Sequence, residues 1–230
     1  MELFDPRERA KCVESTVMNT VGGRRYYRFR YAKFYGGIVT ADAVGCCLLC
    51  AYCWNYEKNE TPETGTFFSP EDVAKKLIKL AEKNRCYKFR ISGCEPFLGE
   101  ASTRHLYKVI NIISSRLKDA TFVIESNAAV IGSNPALLNE FPKLSVSKIK
   151  IRVSLKAENE AQCQKITNAI GAHALQLAGI KAITDAHINC TVATMPNFVK
   201  TIDMIPSNVG RETEKMIVYN AKDRLKKRGL

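Results

Sequence analysis

No run in this 230-residue chain is long and apolar enough to cross a bilayer; the longest, Ala43 to Trp54, is interrupted by thiols and falls short of the about 20 residues a spanning helix needs. The amino terminus, Met1-Glu2-Leu3-Phe4-Asp5-Pro6-Arg7-Glu8, lacks the basic and then apolar pattern of a secretory leader. No membrane is therefore expected, and a reducing cytoplasm, where disulfides are rare, is the expected compartment. Low-complexity segments and internal repeats are missing too, which excludes solenoids and linker-like chains. Histidine is scarce, and no acid–base pair stands out. His105 is placed on an exposed helix and His173 inside a long one, while His187 opens a strand and is the histidine best able to approach a site at strand ends.

What the chain does have is cysteine, nine in all, and positive charge, a net of +12. The charge suits RNA, DNA or an acidic protein, and equally a solvated surface. A composition that is 46% hydrophobic and 25% charged is that of a folded domain, and the length fits one domain more readily than two.

Four of the cysteines fall in Gly45-Cys46-Cys47-Leu48-Leu49-Cys50-Ala51-Tyr52-Cys53-Trp54. Thiols at this density ligate a soft metal, either zinc or an iron–sulfur cluster. A four-cysteine zinc site comes as two separated pairs, and no second pair with two intervening residues is present outside this loop. Three close ligands on one loop suit a cubane cluster that leaves one iron open. Cys46, Cys50 and Cys53 form one such triplet, and Cys47, Cys50 and Cys53 form an evenly spaced alternative. Cys12, Cys86, Cys163 and Cys190 are scattered singly and offer no second cluster.

Along the chain, residues 1 to 23 read as an arm with little periodicity. Arg24 to Tyr31 alternate as a half-buried edge strand, with Arg24, Tyr26, Arg28 and Arg30 on one face. Strands are expected at 36–41, 87–91, 121–125, 149–155, 187–194 and 216–219. Ser69-Pro70-Glu71-Asp72 carries the cap, the proline and the acids of a helix start. Further helices are expected at 102–117 and, unbroken, at 158–177. Strand and helix alternate, so the sheet is expected to be parallel. This divides the chain into an arm and edge strand, 1–35, and one α/β domain, 36–230.

The triplet Cys46, Cys50 and Cys53, with Tyr52 before the last cysteine, resembles the signature of the radical S-adenosylmethionine (SAM) superfamily. Three later stretches at strand ends are similar to that family's cofactor segments. Ser92-Gly93-Cys94-Glu95-Pro96 resembles Gly-Gly-Glu-Pro with Cys94 in place of a glycine. Glu125-Ser126-Asn127-Ala128 looks like acid-Thr-Asn-Gly with Ala128 for the glycine. Ser154-Leu155-Lys156 is similar to a segment of the glycyl-radical activating enzymes. The likeness spans about residues 36 to 195 and is closest to the short activating-enzyme type, of which pyruvate formate-lyase activation is an instance.

The resemblance implies an α/β fold, a partial (β/α)6 TIM-like barrel with a parallel sheet open on one side. It implies a single 4Fe-4S cluster on Cys46, Cys50 and Cys53, with Cys47 a small apolar filler. S-adenosyl-L-methionine would be bound by Tyr52, Gly93, Cys94, Glu95, Ser126, Asn127, Ser154 and Lys156. The implied activity is reductive cleavage of S-adenosylmethionine to a 5′-deoxyadenosyl radical that takes hydrogen from a substrate. A flavodoxin or ferredoxin type reductant is implied as partner. The substrate is a macromolecule, a protein before an RNA. An iron–sulfur electron carrier and a zinc-stabilised nucleic-acid module are the competing classes.

Overall fold

The computed structural model describes residues 2–33, 36–142, 148–201, 203–214 and 221–230. Its strands are β1 (Arg24–Ala32), β2 (Ile38–Ala43), β3 (Thr66–Phe68), β4 (Lys88–Ser92), β5 (Thr121–Ser126), β6 (Ile149–Leu155), β7 (Cys190–Thr194) and β8 (Gly210–Thr213). The helices are α1 (Pro6–Val17), α2 (Tyr56–Glu60), α3 (Pro70–Asn84), α4 (Glu100–Arg116), α5 (Ala129–Ser133), α6 (Glu160–Thr167), α7 (Ala172–Asp185) and α8 (Lys222–Lys227).

One sheet runs in the order β3-β1-β2-β4-β5-β6-β7-β8. Every pair from β2 to β8 is parallel, and β1 lies antiparallel to both β2 and β3. The sheet does not close on itself, so the fold is the open, mostly parallel α/β arrangement of a partial barrel. All six residues of β2 are buried, because it is paired on both sides and covered on both faces. Phe89, Ile91, Phe122 and Ile124 on one face of β4 and β5 meet Leu77 of α3 and Leu106, Val109, Ile110 and Ile113 of α4. Among the described residues no helix is long and apolar enough to cross a membrane.

Several expectations need correction. Residues 6–17 are not a loose arm. Asp5 caps α1 by accepting from Arg7 N, and Pro6, Ala10, Val13 and Val17 form its buried stripe. The expected edge strand, β1, carries β3 outside it along Arg24 to Tyr26. A register shift between Tyr26 and Arg28 breaks its simple alternation. Tyr26 and Phe29 thus stack on each other, 5.6 Å between ring centroids, while Arg28 and Arg30 turn together onto Asp42.

The helix expected at 158–177 is two helices, parted where Asn168 and Gly171 take left-handed backbone at φ 62° and 72°. The last parallel strand is Gly210–Thr213; the strand expected at 216–219 lies outside the described residues. His105 is buried rather than exposed, bonded to Tyr26 and Gly22. His187 precedes β7 and so sits at the amino end of that strand, the end opposite the cysteine loop.

Candidate active site

The cysteine loop leaves the carboxyl end of β2, where ligands of parallel α/β sheets gather. Gly45 turns the chain at φ 93°; a Cβ there would lie 2.7 Å from Val13 and 2.9 Å from Val17, so α1 can press on the loop only against glycine. The loop backbone is held at both sides. Leu49 N and Ala51 N donate to Thr167 O and Ile166 O, and Gly45 O accepts from Glu95 N. Its outward carbonyls are taken by three guanidiniums. Arg9 donates to Cys46 O, Arg224 to Ala51 O and Cys53 O, and Arg228 to Leu49 O.

All nine cysteines are thiols. Cys46 is half-buried and receives Leu48 N at 3.4 Å and the Asn127 amide at 3.6 Å. A hydrogen bond from Cys47, helped by Leu48 N and the charges of Lys156 and Arg9, lowers the Cys46 thiol against its burial. Cys47 is fully buried, held between Cys46 and Asn127, and its thiol is pushed up. Burial raises Cys50 and Cys53 as well, and Cys53 receives the Asn59 amide at 3.7 Å. The geometry thus sets Cys46 apart as the member of the adjacent pair that receives a backbone N–H as well as the Asn127 amide.

Glu95 fastens the second strand end to the third. Its carboxyl accepts from Phe97 N (3.1 Å), Ser126 Oγ (2.8 Å) and Asn127 N (2.7 Å). Burial, and after it the charge of Cys46, pushes Glu95 up to about 8, against those donors. Its oxygens are therefore turned inward, shaping the turns rather than reaching into the open space. Gly93 has the positive φ, 81°, that the turn needs, and Cys94 does not, so a cysteine is accommodated there. Burial pushes the Cys94 thiol up to about 12. Ala128 is left-handed at φ 60°, the conformation for which glycine is the usual residue.

Ser126 and Asn127 bond their own turn through Ala128 N and Ala129 N, while the Asn127 amide reaches the Cys46 and Cys47 sulfurs. Ser154 joins Glu214 (3.0 Å) and Lys156 (2.6 Å). Lys156 stands 5.8 Å from the centre of the Tyr52 ring, which stacks on Phe198. Burial works against the Lys156 charge, but Tyr52, Cys50 and Glu214 outweigh it and raise the ammonium above its ordinary value. The buried Tyr52 hydroxyl has no hydrogen-bond partner among the described residues.

Other participants were not singled out in the sequence. Gln176, fully buried on α7, donates to Asn127 O (2.8 Å) and Ser154 O (2.9 Å) and so ties the third strand end to the fourth. Its only sequence signal is an amide inside an apolar helical stripe. Arg24 is buried and donates to Glu95 O and Pro96 O. The sheet face that carries Ser154 also carries charged pairs that bridge neighbouring strands. Asp42 takes Arg28 and Arg30, Glu125 takes Arg90, and Arg152 joins Glu125 to Glu212 and Glu214. Alternation hinted at this on single strands, but the pairing across strands depends on register.

Among the described residues no three His, Cys, Asp or Glu side chains converge as ligands of one metal ion. Zinc would require sulfurs about 2.3 Å from a common centre, whereas a cubane places each thiolate on its own iron. The donor set fits the cluster: three thiols from one loop, N–H groups aimed at two of the sulfurs, and an unpartnered buried hydroxyl beside them.

Comparison with family models finds one match, the Radical SAM superfamily, over residues 42–206. No curated protein sequence matches. Among solved structures, TYW1 with a lysine–pyruvate adduct bound aligns with a TM-score of 0.56 at 14% identity, covering 94% of this chain and 79% of that one. A spore photoproduct lyase variant with bound AdoMet and dinucleoside spore photoproduct aligns with a TM-score of 0.55 at 13% identity, covering 87% of this chain and 63% of that one. Both are likenesses of fold.

Proposed function

The chain belongs to the radical SAM superfamily, whose members use a 4Fe-4S cluster and S-adenosylmethionine, and from that premise we propose that it abstracts hydrogen from a protein substrate. The observation that carries the reading is the meeting of four strand ends: the cysteine loop after β2, joined through Asn127 and Glu95 to the turns after β4 and β5, and through Gln176 to the end of β6. When bound, the cluster and S-adenosylmethionine supply reductive cleavage of a sulfonium and a carbon radical.

The residues supply placement. Cys46, Cys50 and Cys53 hold the cluster. The buried turns after β4 and β5 keep water away from its open side. Tyr52 and Lys156 present a hydroxyl and a cation to the cofactor's polar groups. The charged sheet face orients a polar substrate, and the open side of the barrel leaves room for a macromolecule to cover it. A glycyl-radical enzyme, or another protein modified at carbon, is the substrate class proposed, and a flavodoxin or ferredoxin type carrier the reductant. RNA is the second reading, favoured by the net charge of +12; binding that weakens steeply with salt would support it.

The test is anaerobic reconstitution followed by reduction and electron paramagnetic resonance with and without S-adenosylmethionine. The expected result is a changed signal and 5′-deoxyadenosine. Cys47→Ala should keep about four irons per chain, whereas Cys46→Ala should fall well below. An unchanged signal without product would return the loop to an electron-carrier role.

A further inference from the structure

The cysteine loop is also reached from outside, through a groove that the chemistry above does not use. About 330 Å³ in volume, it lies beside α6 and α8 and is lined by Lys165, Arg224, Lys227 and Arg228, with Leu3 at its side. No carboxylate is among the described residues that line the groove. Lys165 and Lys227 are exposed, and Leu3, Ile170 and Leu230 are exposed apolar side chains of the neighbouring segments.

Two of the four cations are attached to the loop itself. Arg228 donates to Leu49 O (2.8 Å), the peptide that leads into Cys50, and to Ile166 O (2.6 Å). Arg224 donates to Ala51 O (3.0 Å) and Cys53 O (3.2 Å). A partner seated on the groove is thus one guanidinium away from the peptides of two of the three proposed ligands.

We propose that this groove is the docking surface for an acidic one-electron carrier protein, with Arg224 and Arg228 linking it to the Leu49–Cys53 backbone. The inference rests on Cys46, Cys50 and Cys53 holding the cluster. One electron leaves the carrier and one is taken up at the thiolate-held group; no bond is made or broken. Charge complementarity selects an acidic surface, and the small apolar side chains at its margin suit a weak, rapidly released protein contact. A polynucleotide would use the cations equally well, but it has no use for their attachment to the cysteine loop.

The test compares two donors to the reconstituted protein in stopped flow: reduced flavodoxin, which is acidic, and photoreduced 5-deazariboflavin, which is small and uncharged. Lys165→Glu/Lys227→Glu changes two exposed side chains outside the proposed cofactor machinery, and Lys165→Gln/Lys227→Gln is the milder companion. With flavodoxin the reversed variant should reduce about tenfold more slowly at low salt and the glutamine variant by an intermediate factor, with calorimetric affinity falling in parallel. With deazaflavin all three proteins should reduce alike. Equal rates with flavodoxin would overturn the docking surface, and so would equal slowing with both donors. Loss of transfer-RNA binding in the variants with flavodoxin reduction intact would assign the groove to nucleic acid instead. If the deazaflavin-reduced wild type makes no 5′-deoxyadenosine, the function itself fails, whatever the variants do.

Discussion

His105 shows how a residue can be misjudged from its neighbours in sequence. Its position among polar residues of α4 suggests exposure, yet the ring is buried between Tyr26 Oη (3.1 Å) and Gly22 O (2.9 Å). Burial lowers its pKa to about 4 from the ordinary 6.5. The unfolded chain therefore binds the extra proton first, so the stabilising contribution is whole above pH 6.5 and is lost as pH falls toward 4. The shift corresponds to about 3 kcal/mol. Urea midpoints of the wild type should drop over that interval more steeply than those of His105→Gln. Parallel curves would show that the imidazole does not carry the effect. The cysteine-rich loop, by contrast, stands out in the sequence because thiols at that density have few other uses, whereas the motif around Glu95 does not tell that its oxygens turn inward onto Phe97, Ser126 and Asn127. Gln176 and Arg24 were not legible, since each acts on backbone atoms remote in sequence.

At the level of elements, α7 matters because it carries Gln176 to two strand ends, and its seating depends on two glycines. A Cβ on Gly179 would lie 2.1 Å from Ala128 O, and one on Gly132 would lie 2.0 Å from Leu175 O. Alanine ordinarily strengthens a helix by about 1 kcal/mol over glycine. Here the methyl meets backbone that cannot yield, so overpacking at a cost of about 1–3 kcal/mol or more should outweigh that gain. Gly179→Ala is expected to lower the denaturant midpoint and, by displacing Gln176, to weaken cluster retention under a chelator. A midpoint equal to or above wild type would show that α5 and α7 can move apart freely. The start of α3 was readable from Ser69 and Pro70, and the break between α6 and α7 was missed because the apolar period continues through it. Only the left-handed backbone at Asn168 and Gly171 separates them.

Across the whole molecule, the two chain ends converge on the cysteine loop. Arg9 on α1 holds Cys46 O and Asn59 O, while Arg224 and Arg228 near the carboxyl terminus hold the carbonyls farther along. Hydrogen bonds from charged groups are worth about 1.5–3 kcal/mol each. Arg9→Gln should therefore release iron to a chelator severalfold faster than wild type while shifting the thermal midpoint by only a few degrees. Unchanged release would leave α1 as packing alone. The alternation of parallel strands and helices from β2 to β7 and the place of the cysteine loop at a strand end could be read from residue type and spacing, because periodicity is a local property. The convergence of Arg9, Arg24, Arg224 and Arg228 on that loop and its neighbouring turn, the pairing of charges across the sheet and the inward turn of Glu95 depend on register and on which distant segments come to lie together. Those contacts exist only once the chain is folded, since no local rule links residues that far apart in sequence.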